Sequence, residues 1–128
     1  TDMIGKSYFA PAWGYGNIQC HYGYTQEDIE RVAQTYRDKE IPLDMMMADI
    51  EWYQYKCSPT QWNTTNFPAP EGMIAKLHDL NVRMGVIDDP NVTNAQPEDY
   101  PYGVENGYFM HSRTGDQKDI IWPWGAAS

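Results

Sequence analysis

The pattern of apolar and polar positions has one stretch that anchors the rest, residues 41–52, IPLDMMMADIEW. After Ile41-Pro42, the residues Leu43, Met45, Met46, Met47 and Ala48 make a short, almost unbroken apolar run. It ends on Asp49 and is followed by Ile50-Glu51-Trp52. A run of this kind between a helix stop and a loop predicts a strand over 43–50 that is buried on both faces, as in a parallel sheet. The alternative is a buried turn of core helix with a solvated acid after it. On the strand reading Asp49 sits at the C-terminal end, where α/β barrels and open α/β sheets place their ligand chemistry.

The flanking pattern changes period. Residues 13–20 read as a first strand, interrupted by Gly14 and Gly16, with a turn at Tyr22-Gly23-Tyr24. Thr25-Gln26-Glu27-Asp28 is a helix start with a hydroxyl cap and acids in the first turn. Ile29, Val32, Ala33 and Tyr36 then form one apolar stripe at helical spacing, and Pro42 stops the helix. Residues 51–69 read as a long aromatic loop. Pro70-Glu71 opens a second helix with the stripe Met73, Ile74, Leu77 and Leu80, and Asn81 suits a left-handed cap. Residues 82–87 read as a third strand that runs into Asp88-Asp89-Pro90. Residues 91–128 carry no clear period beyond a short strand expected at 120–122. The order strand, helix, strand, helix, strand predicts right-handed βαβ units with parallel strands.

Composition narrows the function classes. The chain has 128 residues, enough for a single domain, with a globular balance of 41% hydrophobic and 21% charged residues. Its net charge of −9 and lack of basic clusters speak against nucleic acid as a partner. No apolar run approaches a membrane span, and no signal peptide is visible, although one can lie ahead of Thr1. The sequons at Asn63 and Asn91 are all that speaks for an extracellular or periplasmic location, and the compartment stays open. Cys20 and Cys57 can form a disulfide but nothing requires it, and they do not form a metal pattern. His21, His78 and His111 have no ligand-spaced neighbours, so no metal or cofactor is expected. The chain has 5 Trp, 10 Tyr and 3 Phe, and several of them sit in loop-like, Gly- and Pro-rich sequence. Rings near carboxylates suit sugars, whose C–H faces stack while their hydroxyls donate to acids; covering a small core explains the same rings equally well.

Parallel packing of the three strands brings Tyr22, Asp49, Ile50, Ile87 and Asp89 to one rim, which predicts a sugar pocket walled by aliphatic and aromatic groups. Asp49 and Asp89 as an acid/base pair is a second reading, but an aspartate before Pro90 is more often a turn former.

The same residues carry a resemblance. Trp13-Gly14-Tyr15, then Gln19-Cys20-His21-Tyr22-Gly23-Tyr24, then Ile41-Pro42-Leu43-Asp44 with Asp49-Ile50 are similar to glycoside hydrolase family 31. So are Phe67-Pro68-Ala69-Pro70 with Met73, Leu77-His78, Asp89-Pro90 and Trp122-Pro123. This family comprises retaining alpha-glucosidases and alpha-xylosidases. The resemblance spans nearly the whole chain, in order. It implies a partial (β/α)8 TIM barrel, with residues 1–128 as a single unit at the N-terminal end of a catalytic barrel. It also implies that Asp49 accepts hydrogen bonds from sugar hydroxyls in the −1 subsite, that Ile50, Ile87 and Trp122 line that subsite, and that Tyr22 stands at its entrance. His21 stands where arginine is common, and Trp124 follows Pro123 where glycine is usual, so the sugar is left open. The family nucleophile, in a motif like Trp-x-Asp-Met-Asn-Glu, and the later acid/base aspartate do not occur in these residues, and a barrel needs about 250. Three readings follow: part of an alpha-glycoside hydrolase acting on an oligosaccharide together with the remainder of its barrel, a non-catalytic carbohydrate-binding protein, or a barrel piece without a function of its own.

Overall fold

Two amphipathic helices set the layout. In the computed structural model, which describes residues 3–55, 58–89 and 91–109, helix α1 spans Gln26–Asp38 and starts with a capping box. The Thr25 hydroxyl oxygen accepts the Asp28 amide, while the Asp28 carboxylate accepts the Thr25 amide at 3.2 Å and the Arg31 guanidinium at 2.7 Å. Its expected stripe faces inward, with Ile29 and Ala33 fully buried. Helix α2 spans Pro70–Asp79 and buries Met73 and Leu77. Both helices end in a left-handed residue, Glu40 and Asn81. In each case the next amide reaches back into the last turn, Ile41 to the Tyr36 carbonyl and Val82 to the Leu77 carbonyl.

The strands that the helices cover are shorter than the pattern suggested. β1 is Ile18–His21, β2 is Met45–Ala48 and β5 is Arg83–Val86. They form a parallel sheet in the order β1-β2-β5, with Met45 opposite both Ile18 and Arg83. Residues Ala12–Tyr15, of which 13–15 were expected as strand, form a 3-10 turn after Pro11, and Ile50 belongs to a second such turn, Ile50–Trp52, capped by the Asp49 side chain. The turn ends β2 early because the Asp49 carboxylate takes the Ile50 amide out of the ladder.

The aromatic segment after β2 is more ordered than the predicted loop. It folds into an antiparallel hairpin, β3 (Tyr53–Tyr55) and β4 (Ser58–Trp62). Trp62 bridges Trp52 and Phe67, with ring centroids 5.1 and 5.3 Å apart. The Asn63 side-chain carbonyl then accepts the Thr65 and Asn66 amides and turns the chain toward α2. Residues Asp99–Glu105 form a third helix, α3, which the sequence pattern did not reveal. The buried Gln96 side-chain carbonyl accepts the Glu98 amide and the first helical amide, that of Asp99, and its own amide donates to Thr60 on β4. The strand expected at 120–122 lies outside the described residues.

The core lies on one side of the sheet. Met46 and Ala48 of β2 are fully buried against α1 and α2, joined by Val82 and Phe67. The alternate residues Met45 and Met47 point to the other face. There a Cβ on Gly85 would press on both methionines at 3.2–3.3 Å. Arg37 ties the layers: its guanidinium donates to the carbonyls of Leu80 and Leu43 at 2.8 Å each, joining α1 to the end of α2 and the entry of β2.

Two outcomes follow. The Arg31 guanidinium, then the Thr25 amide and hydroxyl, pull the Asp28 carboxyl down from 3.8 to about 2. A depressed carboxyl stabilises above its unfolded value, and that contribution is lost as pH falls through the folded one. Acid melting should therefore include a component between about pH 4 and 2 that Asp28→Asn removes; chemical-shift titration of Asp28 with a midpoint near 3.8 would contradict it. The second concerns the uncovered face. Ile18, level with Met45 on that face, is 40% exposed, and among the described residues both outer strands carry an unpaired edge. At roughly 25 cal/mol per Å2, a few wet apolar side chains forfeit on the order of 5 kcal/mol, comparable to a small domain's stability. The 128 residues alone should be marginal or self-associate in sedimentation; a cooperative monomer melting above about 65 °C would show otherwise.

Candidate functional site

The parallel register brings three chain segments to the C-terminal rim of the sheet. β1 ends at His21 and leads into Tyr22-Gly23, where Gly23 takes a left-handed φ of 91°. β2 ends at Ala48 and delivers Asp49. β5 ends at Val86, and the Ile87 amide extends the ladder by one bond to the Ala48 carbonyl at 3.0 Å. Asp49 and Ile87 thus stand next to each other on adjacent strand ends.

Alternation puts Asp49 on the open face, in line with Met45 and Met47. Its Oδ1 accepts the Ile50 amide at 2.8 Å, and its Oδ2 lies 3.8 Å from Cys20 Sγ on β1. Although Cys20 keeps contact with solvent, partial desolvation, followed by the neighbouring Asp49 carboxylate, pushes its thiol upward, so it stays protonated and donates. A thiol is a weak donor, so Oδ2 retains most of its capacity as an acceptor. Asp49 is half-buried: held in orientation, yet reachable.

The expected wall residues are arranged unevenly. Ile50 is 39% exposed on the 3-10 turn beside Asp49, and Tyr22 is 67% exposed in the turn after β1. Ile87 is half-buried and packs on the core. Trp122 lies outside the described residues. His21 stacks on Tyr24 with ring centroids 5.1 Å apart. The Asp89 amide donates to the Tyr53 hydroxyl.

Trp52 and Tyr53 are the rim residues that the sequence reading left in a loop. Both are buried. The Trp52 indole N–H donates to the Ile87 carbonyl at 2.9 Å. The Tyr53 hydroxyl accepts the Asp89 amide at 2.9 Å and reaches the same Ile87 carbonyl at 3.5 Å. Burial, reinforced by the Asp89 and Asp88 charges and opposed by the Asp89 amide, pushes the Tyr53 phenol up to about 12, so it remains a donor. The signal that could have found them is position: they directly follow the turn that Asp49 caps.

A groove of about 500 Å3 lies between α1 and α2, lined by Glu27, Glu30, Arg31 and Lys76 among others. It belongs to the helix-covered side and contains none of the rim residues. Lys76 and Glu30 pair across it at 2.7 Å. Among the described residues, no group of three or more His, Cys, Asp or Glu is placed to hold a metal, and no helix is long and apolar enough to cross a membrane.

Comparison with known proteins agrees with this geometry. Alpha-glucosidase 2 of Bacillus thermoamyloliquefaciens is 31% identical over 99% of this chain, and the alpha-xylosidase XylQ of Lactiplantibacillus pentosus is 26% identical over 97%. The chain spans 16% of the length of each. The GH31 dextranase of Flavobacterium johnsoniae, solved in complex with glucose, superposes with a TM-score of 0.86 at 30% identity, over 96% of this chain and 15% of that one. The parallel βα units seen here are accordingly part of a barrel. The description "Glycosyl hydrolases family 31 TIM-barrel domain" matches residues 7–128, nearly the whole sequence, and this chain belongs to that family.

Proposed function

We propose that residues 1–128 form the N-terminal part of the catalytic barrel of a retaining alpha-glycoside hydrolase, and that they supply binding groups rather than reacting ones. The supporting observation is Asp49. Its carboxylate stands at the C-terminal rim with one oxygen fixed by the Ile50 amide and the other facing a weak thiol donor. A carboxylate so held can accept hydroxyl protons from the non-reducing sugar of an alpha-linked oligosaccharide. Ile50 and Ile87 supply apolar walls on either side, Trp122 is a third wall, and Tyr22 guards the entrance. The relatives named for glucosidase and xylosidase action favour alpha-glucosides or alpha-xylosides as the substrate class.

The chemistry would be double displacement. One carboxylate attacks the anomeric carbon while a carboxylic acid protonates the leaving oxygen, and water then hydrolyses the glycosyl-enzyme with the same acid acting as base. Both reacting groups are assigned to strands beyond this chain. In the complete barrel, Asp49→Asn should lower kcat/KM on an aryl alpha-glycoside by about a hundredfold, as expected for a bond to a charged group. An unchanged kcat/KM would remove Asp49 from the subsite.

Purified alone, residues 1–128 should not turn over an aryl alpha-glucoside, because nucleophile and acid are both missing. Turnover that Asp49→Ala abolishes would place the reacting groups inside this chain. The coding sequence after Ser128 offers an independent check: a fourth strand with a Trp-x-Asp motif supports the hydrolase, whereas a stop codon turns the reading toward a carbohydrate-binding protein.

A further inference from the structure

The rim holds two buried aromatic residues that reach no open surface yet contact the strand end beside Asp49. Trp52 and Tyr53 come from the β2 side and bond to the backbone that follows β5, at the Ile87 carbonyl and the Asp89 amide. Val86 is the last residue of β5 to pair with β2, and the sheet ladder runs out one bond later at Ile87. That bond holds the Ile87 amide beside Asp49; beyond it, among the described residues, the Ile87 carbonyl and the Asp89 amide are held by the Trp52 indole N–H and the Tyr53 hydroxyl instead of by a strand.

We propose that Trp52 and Tyr53 are positioning residues of the sugar site, fixing the Ile87 wall at the separation from Asp49 that a pyranose requires. This rests on the reading of Asp49 and Ile87 as subsite residues. The clamp is self-contained: the 3-10 turn that orients Asp49 through the Ile50 amide is the same turn that delivers Trp52 and Tyr53. Acid and wall are therefore set by one local structure, so a shift in that turn moves both. Trp62 and Tyr53 pack on Trp52 with ring centroids 5.1 Å away in each case, which anchors the clamp to the hairpin.

The test uses the complete barrel that contains this chain, with activity expressed per folded enzyme from circular dichroism. Tyr53→Phe keeps the ring and removes the hydroxyl. Because the wall touches the sugar in ground and transition states alike, the loss should fall on KM, raised about tenfold for an aryl alpha-glycoside with kcat nearly unchanged. In an Ile87→Ala background the same substitution should add less than about twofold, since the wall it positions is already gone. Trp52→Phe, which removes the indole donor, repeats both readings where Tyr53→Phe folds poorly. An unchanged KM, a loss confined to kcat, or a full additional loss in the Ile87→Ala background overturns the proposal. Asp49→Asn serves as the control: if it weakens kcat/KM while Tyr53→Phe does not, the clamp fails and the subsite stands; if it has no effect, the subsite itself fails.

Discussion

Everything at the rim depends on β2 being hydrogen-bonded on both sides. A strand with a parallel partner on each edge cannot slip without breaking two ladders, and a slip of one residue would turn Asp49 to the opposite face. The register is held from below as well. The Asp44 and Met45 amides both reach the Asn17 carbonyl, the Asp44 carboxylate accepts the Asn17 amide, and the Arg83 amide reaches the Asp44 carbonyl. A side chain at Gly16 would overlap the Asp44 carboxylate, so the glycine there lets β1 approach β2 closely. Arg37 adds a brace between α1, α2 and the entry to β2. An acid at a strand end becomes a usable ligand group only when its strand is pinned in this way.

The two faces of the sheet divide the work. Met46 and Ala48 supply the apolar contact that α1 and α2 need, and stability comes chiefly from that side. The opposite face carries Cys20, Met45, Met47, Gly85 and Asp49, a mixture of small, flexible and polar groups. Methionine fits a face of this kind because its unbranched side chain can lie across a glycine where a branched one would collide. Packing against the helices and the display of polar groups are thereby separated by side-chain alternation along single four-residue strands.

Legibility in the sequence followed the strength of the local signal. The helices could be read because Ile29, Val32, Ala33 and Tyr36 repeat at helical spacing between a threonine cap and a proline stop; the same holds for Met73, Leu77 and Asn81. The central strand could be read from its methionines, but its end could not. The pattern runs on through Ile50, whereas the Asp49 side chain diverts the Ile50 amide and starts a 3-10 turn. The hairpin was hidden because its strands are three and five residues long and Pro59 lies inside one of them. Helix α3 was hidden because Pro101 and Gly103 argue against a helix; it forms under the cap of Gln96, and a Cβ at Gly103 would overlap the Phe109 ring. At the rim, Asp49 and Ile87 could be expected on neighbouring strand ends because parallel topology alone collects them. Trp52 and Tyr53 escaped notice since their contacts run to backbone atoms of residues 34 to 36 positions away.

That last point bears on how such a rim tolerates change. A backbone carbonyl or amide is present whatever side chain a position carries, so a clamp built on the Ile87 carbonyl and the Asp89 amide leaves the Ile87 side chain free to vary. Its own requirement is strict: an N–H and an O–H at fixed reach, supplied from a buried aromatic cluster where an unpaired donor or acceptor would cost about 1–3 kcal/mol. Variation in the walls and constancy in the clamp are then compatible within one turn of chain. On this physical basis, the exposed side chains of Ile50 and Tyr22 can change without disturbing the clamp, while the backbone after β5 is held by buried residues.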